Sequence, residues 1–281
     1  MNKVHIVVDS TANVPREFLA NNDNLHVVPI KVILGEHVID EPEMTADEIF
    51  EYVDAKGPDP TTSQPAPGEF AVVLDKIIKN GDTAVVVTVS AGVSGTWQCA
   101  GSVSKQYAKD RVLVVDSRSA GVGLLNLVRQ GLALAESGSS ATEIARALTA
   151  AVERNGIYIL PGTLEYLHRG GRIGGAAALF GSLLQIKPIL TIEAGKVAVL
   201  DKVRTRGKAL LRIVEELPPA EEIEWIGITH TEIPELLAEV VELVRDKTGV
   251  KNIEVAQLGA SLAVHFGPGT VVVMVQRKPK N

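Results

Sequence analysis

Short β-branched runs, each ending in a small hydroxyl or carboxylate cluster and followed by a helical segment, constrain this chain most. Ile6-Val7-Val8 gives way to Asp9-Ser10-Thr11, and Val85-Val86-Val87-Thr88-Val89 to Ser90-Ala91-Gly92-Val93-Ser94-Gly95-Thr96. Val112-Leu113-Val114-Val115 ends at Asp116-Ser117 in the same way. Such runs, alternating with helices, read as strands of a parallel sheet. Ligands of parallel sheets sit beyond the carboxyl ends of the strands. The pattern therefore sets Ser, Thr and Asp along one rim, which suits holding a small anion better than hard chemistry.

The chain has 281 residues, 46% of them apolar and 22% charged, enough for one large or two ordinary domains with a sizeable core. A net charge of −6 argues against a nucleic-acid or membrane-surface binder. Cys99 is the single cysteine, so neither an intramolecular disulfide nor a multi-cysteine metal site is available. The six histidines are scattered without i,i+4 pairs, and no metal is expected. Met1-Asn2-Lys3-Val4-His5-Ile6 runs straight into a strand, with no secretory signal visible. Ala176 to Ile192 is broken by Lys187-Pro188 and is too short to span a bilayer. A cytoplasmic soluble protein, without stable membrane insertion, is expected.

The element pattern predicts an α/β fold in two domains. Residues 1–159 form an N-terminal Rossmann-like domain with a parallel sheet, carrying a hairpin insertion near 25–42. Residues 160–281 form a smaller C-terminal α/β domain with a mixed sheet, and the ligand cleft lies between the two. Thr45-Ala46-Asp47-Glu48 and Ser140-Ala141-Thr142-Glu143 have the spacing of capping boxes. The stretch from Gly57 to Gly68, with Pro58, Pro60, Pro65 and Pro67, reads as a loop. Helices are expected over 69–79, from Thr96 to about 109, over 122–135, 207–216 and 233–246. Later strands are expected at 157–160, 225–229, 253–258 and 271–275, with a hairpin over 189–200.

Ser94 is the most informative hydroxyl. It lies between a strand and a helix start, beside Gly92 and Gly95, where free N–H groups attract anions. An ordinary N-cap serine is the alternative, and capping geometry itself creates an anion site. Ser94, Asp116 and His265 also occur in the chain order of α/β-hydrolases, so a serine esterase using Ser94 and His265 is the rival reading. Thr96 stands where the second glycine of that Gly-x-Ser-x-Gly elbow belongs. Thr62 gains interest only if its Pro-rich loop folds over the strand ends. His265 precedes the Phe266-Gly267-Pro268-Gly269 turn, where close packing lets it donate to a carboxylate. Arg169 and Arg172, in a glycine-rich stretch that is not a P-loop, read either as a grip on phosphate or a partner, or as a solvated pair. The apolar set Leu179, Phe180, Leu183, Leu184, Ile186, Ile189 and Leu190 reads as core or as a ligand tunnel.

These motifs together resemble the DegV family of bacterial fatty-acid-binding proteins across nearly the whole chain. They are Asp9-Ser10-Thr11-Ala12, Thr62-Ser63-Gln64-Pro65-Ala66-Pro67-Gly68-Glu69-Phe70, Ser94-Gly95-Thr96-Trp97-Gln98 and Asp116-Ser117. Further along come Gly170-Gly171-Arg172-Ile173-Gly174, Ile186-Lys187-Pro188-Ile189-Leu190, Arg204-Thr205-Arg206 and Gly267-Pro268-Gly269. The resemblance implies two α/β domains with one long-chain fatty acid, such as palmitate, between them and no cofactor. It implies that Thr62 and Ser94 hold the carboxylate with help from His265, and the candidate set is completed by Gly95 and Ser10. Some members of the family present the fatty acid to a separate ATP-dependent kinase that makes an acyl phosphate. In that role Arg172 would dock the partner or stabilise phosphate. The chain departs from the family where Phe266 follows His265 in place of threonine, and where Trp97 and Cys99 replace the common tyrosine and serine.

Overall fold

A computed structural model describes residues 3–181 and 186–280. Its first half runs β1 (Val4–Asp9), a 3-10 turn over Ser10–Ala12, α1 (Arg16–Ala20), β2 (Leu25–Val28), β3 (Lys31–Leu34), β4 (His37–Asp40), α2 (Ala46–Asp54), β5 (Thr61–Ser63) and α3 (Pro67–Lys79). β6 (Thr83–Thr88), α4 (Thr96–Ser104), β7 (Val112–Asp116), α5 (Gly121–Glu136) and α6 (Ala141–Val152) follow. The second half runs β8 (Asn155–Leu160), α7 (Glu165–Arg169), β9 (Lys187–Glu193), β10 (Lys196–Val203), α8 (Arg206–Glu215), β11 (Ile223–His230), α9 (Pro234–Thr248), β12 (Glu254–Gln257), α10 (Ala260–Phe266) and β13 (Val271–Arg277).

The fold is α/β, with a parallel sheet of order β2-β1-β6-β7 and a separate mixed sheet of order β10-β9-β8-β13-β11-β12. In the parallel sheet Ile6, Val7, Val8, Val85, Val86 and Val87 are fully buried, which is why these strands read as unbroken apolar runs. The second sheet is antiparallel except where β12 lies parallel to β11. β8, at the expected boundary near residue 159, pairs with β9 and β13 and so belongs to this second sheet. α5 lies between the sheets. Its Gly131 approaches Ile6 on one side, while Gln130 donates to Gln276 at 2.7 Å on the other. Both expected capping boxes form: Glu48 accepts from the Thr45 N–H at 2.7 Å, and Glu143 from the Ser140 N–H at 2.8 Å.

The sequence expectation needs correction at several elements. Leu25–Val28 is not part of the hairpin expected near 25–42; it pairs in parallel with β1. Pro29 has no N–H to continue that ladder, so the chain leaves the sheet and the hairpin is confined to β3 and β4. The Pro-rich stretch is not all loop. Prolines hold their preceding residues extended, and Thr61–Ser63 pairs with β3 to make a third sheet of order β4-β3-β5. α4 ends at Ser104, well before residue 109. Ala260–Phe266, where no element is expected from the sequence, forms the helix α10, with His265 in its last turn and Phe266 inside it rather than in the turn that follows. Leu183 and Leu184 lie outside the described residues. Leu179, Ile189 and Leu190 are buried core.

Candidate functional site

The loops that leave the carboxyl ends of β1, β6 and β7 face the mixed sheet across a cavity. One wall is a flat apolar panel. Ile157 and Ile159 alternate along β8 and sit directly opposite Met274 and Val272 of β13, so all four share one face. Ile192 and Val197 extend the panel across β9 and β10. The opposite side carries the polar groups of Thr62, Ser94, Gly95, Arg172 and His265, set among apolar side chains that include Val89, Val93, Leu262 and Phe266. The cavity leaves about 140 Å³ for the centres of water molecules, against about 10–15 Å³ for a single bound water.

Thr62 and His265, 203 residues apart, share a hydrogen bond of 2.8 Å between Oγ1 and Nε2. β5 brings Thr62 to the hairpin, with Thr62 opposite Val32, and α10 packs on the same small sheet. The other ring nitrogen, Nδ1, is buried without a partner. Gly170 makes this placement possible, because a Cβ there would lie 2.3 Å from Nδ1. Burial first, and the nearby Arg172 charge second, push the His265 pKa down to about 4. The imidazole is therefore neutral at pH 7. Between the usual 6.5 and about 4 the unfolded chain takes up a proton that the native chain refuses, so stability falls as pH falls through that window. At about 1.4 kcal/mol per pH unit the contribution over that window is at most roughly 3.5 kcal/mol. His265→Gln is expected to flatten that part of the pH–stability curve, and ring NMR should place the His265 midpoint near 4.

Ser94 lies just ahead of α4, with its Oγ 2.8 Å from Thr96 Oγ1 and accepting from the Thr96 N–H at 3.3 Å. Gly95 is the N-cap of α4, whose first-turn N–H groups have no acceptor within the helix. Arg172 reaches from the second half of the chain, with Nε donating to Val93 O at 3.1 Å and Nη1 to Gly170 O at 2.5 Å. No carboxylate among the described residues pairs with it. Arg172 thus places a positive charge on the cavity wall rather than at a free surface. Phe266 also lines the cavity, next to His265.

Two sequence expectations are corrected here. Ser10 does not line the cavity. Its Oγ donates to Glu41 and accepts from the Ile30 N–H at 2.8 Å, because the 3-10 turn after β1 directs it to the hairpin; its neighbour Thr11 lines the cavity instead. The hydrolase arrangement is also not assembled. Ser94 bonds Thr96, His265 bonds Thr62, and Asp116 accepts from the Ala91 and Arg118 N–H groups at 3.0 Å each.

Residues 3–278 match the family described as "Uncharacterised protein, DegV family". The chain belongs to the DegV family. A DegV domain-containing protein of Streptomyces coelicolor is 34% identical over 284 residues, covering 98% of this chain and 99% of the relative. The solved structure of a fatty-acid-binding DegV family protein from Thermus thermophilus superposes with a TM-score of 0.89 at 31% identity, covering 98% of this chain and 100% of that one. A fatty-acid-binding DegV family protein from Streptococcus agalactiae gives 0.87 at 28% identity, with full coverage of both chains. In this DegV chain no helix among the described residues is long and apolar enough to cross a membrane. Nor do those residues include three His, Cys, Asp or Glu side chains grouped to hold a metal ion. Sequence reasoning passed over Gly170 and Glu41. The paired glycines at 170–171 were the available signal for the first; nothing local marked the second.

Proposed function

We propose that this protein binds one long-chain fatty acid in the cavity between its two halves, the parallel-sheet half and the mixed-sheet half that begins at β8, as a non-catalytic carrier in the cytoplasm. The carboxylate lies at Thr62, Ser94 and the Gly95 end of α4, with the Arg172 charge facing it and neutral His265 holding the Thr62 hydroxyl. The acyl tail lies against the Ile157, Ile159, Val272 and Met274 panel. The observation that carries this reading is one cavity with hydroxyls, and a guanidinium that no carboxylate among the described residues pairs with, on one side and an aliphatic sheet face on the other. Its likeness to two fatty-acid-binding DegV proteins supports the ligand class.

The energetics fit a binder. Burying about fifteen methylenes gains roughly 12 kcal/mol gross, at about 0.8 per group. Association costs about 4–15 kcal/mol. The tail therefore supplies the affinity, and the polar end fixes direction. In the same reading the protein presents its ligand to a separate ATP-dependent kinase that phosphorylates the carboxylate, with Arg172 stabilising the new phosphate. Native mass spectrometry of gently purified protein is expected to show one bound fatty acid, and delipidated protein is expected to rebind palmitate at one site. Protein that carries no lipid and refuses palmitate would overturn the proposal.

A further inference from the structure

The hairpin, the end of β1 and α10 meet at one buried carboxylate. Glu41 directly follows β4 and is 3% exposed. Its Oε1 accepts from the Ser261 N–H at 3.0 Å and from Ser261 Oγ at 2.5 Å, and its Oε2 accepts from Ser10 Oγ. Ser10 Oγ in turn accepts from the Ile30 N–H, and the Glu41 N–H donates to Ile30 O at 2.9 Å. No cation among the described residues pairs with this carboxylate. Ser261 is the second residue of α10, so Glu41 caps that helix from a different element.

Of the elements it joins, one carries His265 and another belongs to the small sheet that carries Thr62. α10 bears His265 in its last turn, and β5, which bears Thr62, lies against β3 in the same small sheet as β4. Burying a carboxyl group without a counter-ion is unfavourable, and an apolar residue would fill the space at lower cost. Burial holds the Glu41 carboxyl above its ordinary pKa, and the field between it and buried Asp9 adds to the cost. What the carboxyl group supplies is direction: donors from the turn after β1 and from α10 converge on one small group at the end of the hairpin.

We propose that Glu41 is a positioning residue for the fatty-acid head group, fixing α10 against the hairpin so that His265 holds the Thr62 hydroxyl where the carboxylate arrives. This rests on the fatty-acid reading above and deepens it. The role is one of hydrogen-bond geometry, so an amide that accepts from Ser261 replaces the carboxylate.

The test is palmitate affinity of the full chain, with ring NMR of His265, in Glu41→Ala, Glu41→Gln, His265→Gln and the double variant Glu41→Ala/His265→Gln. Glu41→Ala is expected to bind about ten-fold more weakly and to shift the His265 ring resonances, consistent with coupling inside one network. Glu41→Gln should recover most of the affinity, and Glu41→Ala should add no loss once His265 is gone. Losses that add independently, or unchanged affinity and ring resonances in Glu41→Ala, would overturn the proposal. If Glu41→Ala fails to fold, Ser261→Ala removes a single donor and is read in the same way. Failure of the wild type to bind palmitate would instead count against the fatty-acid reading, while the ring resonances report on positioning without ligand.

Discussion

Removing the two hydroxyls at the polar side of the cavity is expected to weaken palmitate binding by roughly 10²–10³-fold. Each hydrogen bond to a charged group contributes about 1.5–3 kcal/mol, and about 1.4 kcal/mol is a factor of ten. The two losses should not add fully, since both hydroxyls serve one carboxylate. The single variants differ in a way that the structure dictates. Ser94→Ala removes a bond to Thr96 at the start of α4 and should leave the unfolding temperature within a few degrees of wild type. Thr62→Val strips His265 of its partner at Nε2 while Nδ1 is already unpartnered. That variant should lose about 1–3 kcal/mol of stability as well as affinity. Isothermal titration with palmitate and thermal unfolding of both variants check this. Equal affinity in wild type and the double variant would move the head group elsewhere.

Gly92→Ala is expected to be the most destabilising single-methyl change around the cavity. A Cβ at Gly92 would lie 2.2 Å from Gly195 O and 2.5 Å from Gly195 C, both backbone atoms. Gly195 sits at φ +79 in the turn between β9 and β10, and its carbonyl already accepts from Ser90 Oγ at 2.6 Å. Neither backbone has room to yield without parting the β6 loop from the β9–β10 turn. The cost should reach about 2–3 kcal/mol, the upper part of the range for overpacking, or roughly 4–10 °C in Tm. Gly101→Ala is the control. That position lies inside α4 with nothing within 4 Å of a Cβ, and alanine should stabilise it by about 0.5–1 kcal/mol. Differential scanning calorimetry of the two variants gives both signs at once. A Tm for Gly92→Ala at or above wild type would contradict the close packing of the two halves here.

The parallel strands were legible because burial on both faces leaves a continuous β-branched run, as at Val85–Val87. The capped helices were legible because Thr45 and Ser140 each stand three residues before a glutamate. What stayed hidden depends on pairing rather than on local pattern. β5 is three residues long and lies among prolines, so only its ladder with β3 identifies it. α10 has seven residues, and its small apolar side chains resemble a run into the following turn. At the site, Thr62 and Ser94 were marked by their loops and by the family motifs. The bond from Thr62 to His265 spans 203 residues and has no local signature. Ser10 looked like part of the rim because it follows a strand, but its hydroxyl turns to Glu41. Glu41 itself stands in the acidic run Asp40-Glu41-Pro42-Glu43, which carries no local sign of burial, whereas packing against Ser10 and Ser261 buries it.

The most direct measurement is a crystal structure of delipidated protein reloaded with palmitate. It is expected to show the carboxylate within hydrogen-bond distance of Thr62 Oγ1 and Ser94 Oγ, with the acyl chain running along Ile157, Ile159, Val272 and Met274. A carboxylate seated away from both hydroxyls, or an acyl chain lying outside the space between the two sheets, would contradict the account.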